Sequence, residues 1–170
     1  YKLPLESLSK ISSGSDLSLV STSISTLEAL RAVNFLKKHG LKIDFYNLRI
    51  LRPLNIKKLY GSIKKTKKII TVDTGFVKHG IGSEIIASLL EQNLVNNLKV
   101  RRLGLPDFPT PSSRGLIKNY YPSAKSIIES CLDLVNISKK NKMNILNDFM
   151  ANNKVNLPID IPHPSFKGPF

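Results

Sequence analysis

Four short apolar runs set the possibilities for this chain. They fall at 17–23, 41–48, 68–72 and 98–103, and each is separated from the next by a segment whose apolar residues recur at helical spacing. Between the first two, Leu27, Leu30, Val33 and Leu36 predict a helix that stops at Lys37-Lys38-His39-Gly40, with cations in its last turn and glycine as the terminator. Pro53 closes the turn 49–53 and opens a helix over 56–65. Ile81, Ile85, Ile86, Leu89 and Leu90 give a helical face over 80–93, and Ile127, Ile128, Cys131, Leu132 and Val135 another over 123–135, with Ser123 as its N-cap. Runs of strand and helix in strict alternation predict an α/β domain of three layers, a mostly parallel sheet with helices on both faces.

The flanks differ from this pattern. Residues 1–15, with Pro4 and the Ser12-Ser13-Gly14-Ser15 cluster, read as a linker leading into a domain over 16–136. Beyond Asn136 the composition turns polar. Met143, Ile145, Leu146, Phe149 and Met150 form a weak helical stripe, and the last fifteen residues carry Pro158, Pro162, Pro164 and Pro169. A piece this short has no core of its own. Residues 137–170 are therefore expected to be an arm that docks, through side chains such as Phe166 and Phe170, on its own domain or on another subunit.

Charge and cysteine narrow the function classes. A net charge of +14 with a pI near 10.0 raises binding to nucleic acid or a membrane surface. The cations are instead scattered in pairs, such as Lys37-Lys38, Lys64-Lys65 and Arg101-Arg102, with no aromatic-studded basic stretch to stack bases. The expectation is no nucleic acid and no membrane, with a solvated basic surface. No apolar run approaches the roughly 18 residues of a membrane span. The single Cys131 allows no internal disulfide and lies on a core face, which suits a reducing compartment. With Tyr1 at its head and no charged-then-apolar leader, the sequence reads as a piece of a longer protein.

Two stretches could carry chemistry, 47–54 and 69–85, each joining a strand to a helix through a polar turn. That is where open α/β sheets place ligands and partners. His79 lies between Gly75 and Gly80, with Asp73 and Glu84 as nearby acid–base partners, or stands as a loop histidine at an interface. Gly80 and Gly82 open a helix whose free N–H groups suit an anion, but neither a Walker lysine nor a full GxGxxG accompanies them. Arg49 and Arg52 could fork onto a carboxylate or phosphate, or pair across a subunit boundary. His39 and His163 have no metal-ligand spacing, and no GxSxG elbow supports hydrolase chemistry.

Taken in order, the chain resembles a known family. Its motifs are the segment 44–55 with Asn47-Leu48-Arg49-Ile50-Leu51-Arg52-Pro53-Leu54, then Thr71-Val72-Asp73-Thr74-Gly75, then Lys78-His79-Gly80-Ile81-Gly82-Ser83-Glu84, then Pro106-Asp107-Phe108-Pro109-Thr110-Pro111, then Tyr120-Tyr121-Pro122-Ser123. It resembles the C-terminal, transketolase-like domain of the β subunit of 2-oxo acid dehydrogenases, over about residues 1–135. It departs from the family at Asn55, where an aspartate is usual, and at Asp73, where a glutamate often stands. The resemblance implies a parent that decarboxylates a 2-oxo acid, pyruvate first, on thiamine diphosphate with Mg²⁺, and acylates lipoyl groups. It implies that both cofactors are held by parts outside this chain, which would have no catalysis of its own. It implies partners: an α subunit, a second β subunit and possibly the acyltransferase component, in the cytoplasm or the mitochondrial matrix. Arg49, Arg52, Asp73, Phe76, His79, Phe166 and Phe170 are then interface residues. The alternatives are the C-terminal domain of a deoxyxylulose-phosphate synthase or transketolase and, of another class, a basic nucleic-acid-binding module.

Overall fold

The computed structural model describes residues 6–113, 115–117, 119–153 and 163–164. The expected architecture is present. Five strands form one sheet in the order β1-β3-β2-β4-β5. They are β1 (Leu8–Ser12), β2 (Leu17–Thr22), β3 (Ile43–Leu48), β4 (Lys68–Phe76) and β5 (Lys99–Leu105). Strands β2 to β5 pair in parallel, and β1 runs antiparallel to β3 along one edge. The helices are α1 (Ser25–Lys38), α2 (Lys57–Thr66), α3 (Ile81–Glu91), α4 (Ala124–Leu134) and α5 (Lys139–Asn152).

Period-two alternation along the strands feeds two cores. One face of the sheet (Leu17, Leu19, Phe45, Ile70, Val72) buries against α1 and α4, through residues such as Ala29, Leu36, Ile127 and Cys131. The other face (Val20, Tyr46, Leu48, Ile69) buries against α2 and α3, through Leu59, Ile63, Ile85 and Leu89. Complete burial of Cys131 pushes its thiol pKa well up, as expected of a core residue rather than a nucleophile.

The second core is not dry. Asp44 is almost fully buried there, with Lys10 Nζ at 2.7 Å and Lys65 Nζ at 3.6 Å. Burial works against its ionisation, but the hydrogen bonds from Lys10 and Ser62 and the two lysine charges outweigh that and hold its pKa below the ordinary carboxylate value. Beside it Ser18 on β2 bonds Ser62 at 2.6 Å and Thr66 at 2.8 Å, so every hydroxyl that α2 turns to the sheet finds a partner.

Two expectations need correcting. The segment read as a linker, 1–15, contributes β1 to the sheet: Leu8 pairs with Leu48 and is buried beneath α2, while the polar neighbours Ser9 and Lys10 hid a strand with only one buried face. Strand β4 runs four residues past Val72, and β5 runs two past Leu103, because Phe76 pairs with Leu105 and the Val77 N–H donates to Leu105 O at 2.9 Å. A local register shift between Val72 and Phe76 takes up the mismatch. The weak stripe after Asn136 is a full helix, α5, capped by Ser138 and laid on α1 and α4 of its own domain. Phe166 and Phe170 lie outside the described residues.

Candidate functional site

Strand β2 hands over to α1 on one face, its neighbour β4 hands over to α3 on the other, and the crevice between their C-terminal ends is the switch point of the sheet. In this chain, side chains bridge it. The Thr22 hydroxyl, at the end of β2, donates to Asp73 Oδ1 at 2.6 Å, and the Thr74 N–H donates to the same oxygen at 2.8 Å. The Ser25 hydroxyl lies 2.5 Å from Thr22 O and 3.0 Å from Val72 O, tying the first turn of α1 to both strands. Ser21 donates to Thr26 at 2.9 Å and Thr26 to Asn47 at 3.1 Å, which carries the line across to β3. Sequence reasoning found Asp73 but not Thr22, Ser25, Thr26 or Asn47. The signal was there, a run of hydroxyls from Ser21 to Thr26 at a strand–helix junction, but it reads as helix capping. The structure instead spends Ser25 on the crevice and leaves α1 without a side-chain cap.

The glycines next to this line admit backbone rather than ligand. A Cβ on Gly80 would collide with the Phe76 carbonyl, and one on Gly82 would stand 2.6 Å from the Thr71 hydroxyl. The empty volume at both positions is filled by the chain itself. Arg102 bonds Val77 O at 3.0 Å and Ser83 Oγ, so this guanidinium is spent on holding the turn at the start of α3.

The residues singled out from the sequence do not converge. Arg49 and Arg52 are exposed on the loop after β3, which Ser7 anchors by accepting the Arg49 N–H at 2.7 Å and donating to Pro53 O at 3.2 Å. The Arg52–Pro53 peptide is cis. His79 lies beyond β4, with β2 between the two loops. It is exposed and holds a left-handed backbone, φ 59°, unusual outside glycine. Its two sequence-near carboxylates face other partners: Asp73 takes Thr22, and Glu84 accepts from Ser88 at 3.2 Å. Beside it Lys78 pairs with Asp107 at 2.8 Å; that bond raises the lysine pKa and lowers the aspartate's. The third histidine, His163, is half-buried, and burial and then the Arg31 charge lower its pKa.

What this edge does present is apolar. Phe76 ends β4, and Ile24, Leu51 and Phe108 stand in the segments that follow the C-terminal ends of β2, β3 and β5; each of the four is between 46% and 53% exposed. Phe108 rests edge-on against Tyr120 at 5.3 Å, and the buried Tyr120 donates to Phe108 O at 3.0 Å, so the loop that carries it is fixed in place.

Thiamine diphosphate with Mg²⁺ would need oxygen ligands converging on the metal and donors facing a diphosphate. Among the described residues no three His, Cys, Asp or Glu side chains gather to hold a metal, and the start of α3 is packed by Thr71, Phe76 and Arg102. These residues do not fit the cofactor, and no chemical step is derived through it. Nor is any helix among them long and apolar enough to cross a membrane.

Comparison with known proteins gives a consistent picture. Residues 7–127 match the family described as "Transketolase, C-terminal domain". The chain is 32% identical over 118 residues to the β subunit of the mitochondrial pyruvate dehydrogenase E1 component of Pisum sativum, covering 69% of this chain and 33% of that protein. It is 34% identical over 127 residues to the corresponding subunit of Bos taurus, covering 73% and 35%. It is also 33% identical over 124 residues to 1-deoxy-D-xylulose-5-phosphate synthase of Halothermothrix orenii, covering 72% of this chain and 19% of the enzyme. The chain thus spans about a third of the length of the E1 relatives. Among solved structures, a split-gene transketolase described as an inactive β4 tetramer superposes with a TM-score of 0.68 at 21% identity, over 81% of this chain and 45% of that one, a likeness of fold.

Proposed function

From the premise that this chain belongs to the transketolase C-terminal domain family, we propose that it is the subunit-assembly domain of a thiamine-diphosphate-dependent 2-oxo acid dehydrogenase β subunit. One observation carries the reading. The edge of the sheet where an α/β domain would take a small ligand is bridged by Thr22, Ser25 and Asp73, while the same edge offers Ile24, Leu51, Phe76 and Phe108 to a macromolecular neighbour. In this proposal Arg49, Arg52 and His79 rim that contact, and Asp73 supports it from beneath. The partners are an α subunit and a second β subunit, and possibly the acyltransferase component. Thiamine diphosphate and Mg²⁺ are bound elsewhere in the parent, which decarboxylates pyruvate and acylates lipoyl groups in the cytoplasm or the mitochondrial matrix. Residues 137–170 form an appendage to the assembly domain.

Co-expression of the full-length parent with an α subunit tests this. The expected product is a thiamine-dependent heterotetramer, weakened by Phe76→Asp, while calorimetry of the isolated chain with thiamine diphosphate and Mg²⁺ gives no binding heat. Tight cofactor binding by the isolated chain overturns the reading. A second reading, the C-terminal domain of a deoxyxylulose-phosphate synthase, is favoured by the 33% identity to such an enzyme. It requires both thiamine-binding domains upstream on the same chain, which the full-length sequence decides.

A further inference from the structure

The matched family domain ends at Ile127, and α5 begins at Lys139. Between them the chain leaves α4 through Asn136, in the left-handed region at φ 58°, and the Ile137 N–H closes back on Leu132 O at 3.1 Å. This turn sets α5 on the groove between α1 and α4.

The seat of α5 is narrow. Phe149 alone on this helix is buried, at 5% exposure, edge-on to Phe35 of α1 with ring centroids 5.0 Å apart. Ile145 and Leu146 are only partly covered. The rest is polar and peripheral: Asp148 with His39 at 3.0 Å, Lys142 with Asp133 at 2.5 Å, and Arg31 to Asn153 at 3.4 Å. On its outer side Met143 and Met150 stand 60% and 50% exposed. Helix α4, by contrast, turns six buried residues into the core, has a two-way Ser123/Ser126 cap, and has its Ala124 N–H bonded by Glu28 of α1 at 2.7 Å. Opening α5 therefore disturbs one buried aromatic and a few surface pairs, whereas opening α4 dismantles the domain. Units with few buried contacts open below the global unfolding free energy.

We infer that α5 is a self-contained strap: it lifts from the α1–α4 groove without unfolding the sheet, and the groove beneath it is a docking surface for one amphipathic helix with an aromatic residue at the position of Phe149. In this chain the occupant is α5 itself. The inference does not rest on the thiamine-enzyme reading, because it is argued from the packing of α5, a helix beyond the matched domain, on α1 and α4.

Hydrogen exchange on the full chain is the test, combined with binding of a labelled synthetic peptide of residues 139–153. In the unaltered chain the amides of α5 should exchange at least tenfold faster than those of β2 and β4. Phe149→Ala should speed α5 exchange a further tenfold or more and leave the β2 and β4 amides unchanged. It should also raise peptide affinity at least tenfold over the unaltered chain, whose groove is filled. Exchange of α5 at the pace of the sheet in the unaltered chain overturns the strap without need of any variant. Acceleration of α5 and sheet together in Phe149→Ala does the same. A freed groove that shows no gain in peptide affinity overturns the docking surface.

Discussion

The two faces of the sheet are built on different principles. Against α1 and α4 the contact is apolar except at the C-terminal ends of the strands, where Ser21 bonds Thr26 and Ser25 bonds Val72 O: Leu17, Leu19, Phe45, Ile70 and Val72 meet Ala29, Leu36, Ile127 and Cys131. Against α2 the same sheet carries a polar seam, Ser18, Ser62, Thr66 and Asp44, and reaches outward to Lys10 and Lys65 for charge. Stability on the first face is a matter of filled volume. Along α2 on the second it depends on whether Ser18, Ser62, Thr66 and Asp44 keep their partners, which makes that seam less tolerant of chemical change than of small changes in size.

Four substitutions and one titration can break or sharpen that contrast. The largest effect belongs to the dry face: Phe45→Ala should lose about 3–5 kcal/mol in urea unfolding, as truncation of a fully buried aromatic does. A loss under about 1 kcal/mol would mean the face is loosely filled. On the seam, Lys10→Met should cost about 1–3 kcal/mol, because it strands a buried carboxylate, whereas Asp44→Asn should cost less, because the freed lysine reaches water. Equal costs for the two would put the value of the pair in mutual attraction rather than in the burial of Asp44.

Acid titration reads the same group. The folded pKa of Asp44 is lowered, so its contribution is fully present above the unfolded value of about 3.9 and is lost as pH falls through the folded value. The Lys10 pKa is raised, chiefly by its bond to Asp44, so that side of the pair holds below about 10.4 and fades as pH climbs through the folded value. The Asp44→Asn chain should therefore lose less stability than its parent as pH falls below about 4, and identical acid unfolding curves would remove the seam's charge from the balance. Smallest is Ser62→Ala, at about 1 kcal/mol for the bond to Ser18. A neutral result would indicate that Thr66 alone satisfies Ser18.

How legible each part was in the sequence follows from the same physics. The inner parallel strands β2, β3 and β4 were plain because both their faces are buried, which forces mostly apolar runs such as 17–20 and 69–72. β1 was not, since an edge strand that turns Leu8 and the salt-bridged Lys10 to one core and leaves Ser9 and Ile11 on the other face carries half the signal. The ends of β4 and β5 were missed because Thr74-Gly75 and Gly104 read as turn chemistry, while the actual boundary is set by pairing between strands distant in sequence. At the candidate site, Asp73 was visible as a carboxylate at a strand end, but its partner Thr22 lies fifty-one positions away and no local pattern joins them. The weak stripe of α5 was visible in the sequence, but its groove was not, being assembled from two helices a hundred residues apart.

One feature of the sheet gives the surplus of positive charge a use that needs no polyanion. Its two outer strands are where a second molecule could add a strand of its own. β5 carries Lys99, Arg101 and Arg102 exposed along its length, and β1 is five residues long, contains Lys10 and is irregular between Lys10 and Ser12. Short, kinked, cationic edges repel copies of themselves. Part of the +14 is thus a safeguard against aggregation, placed on the two strands through which fibres would grow.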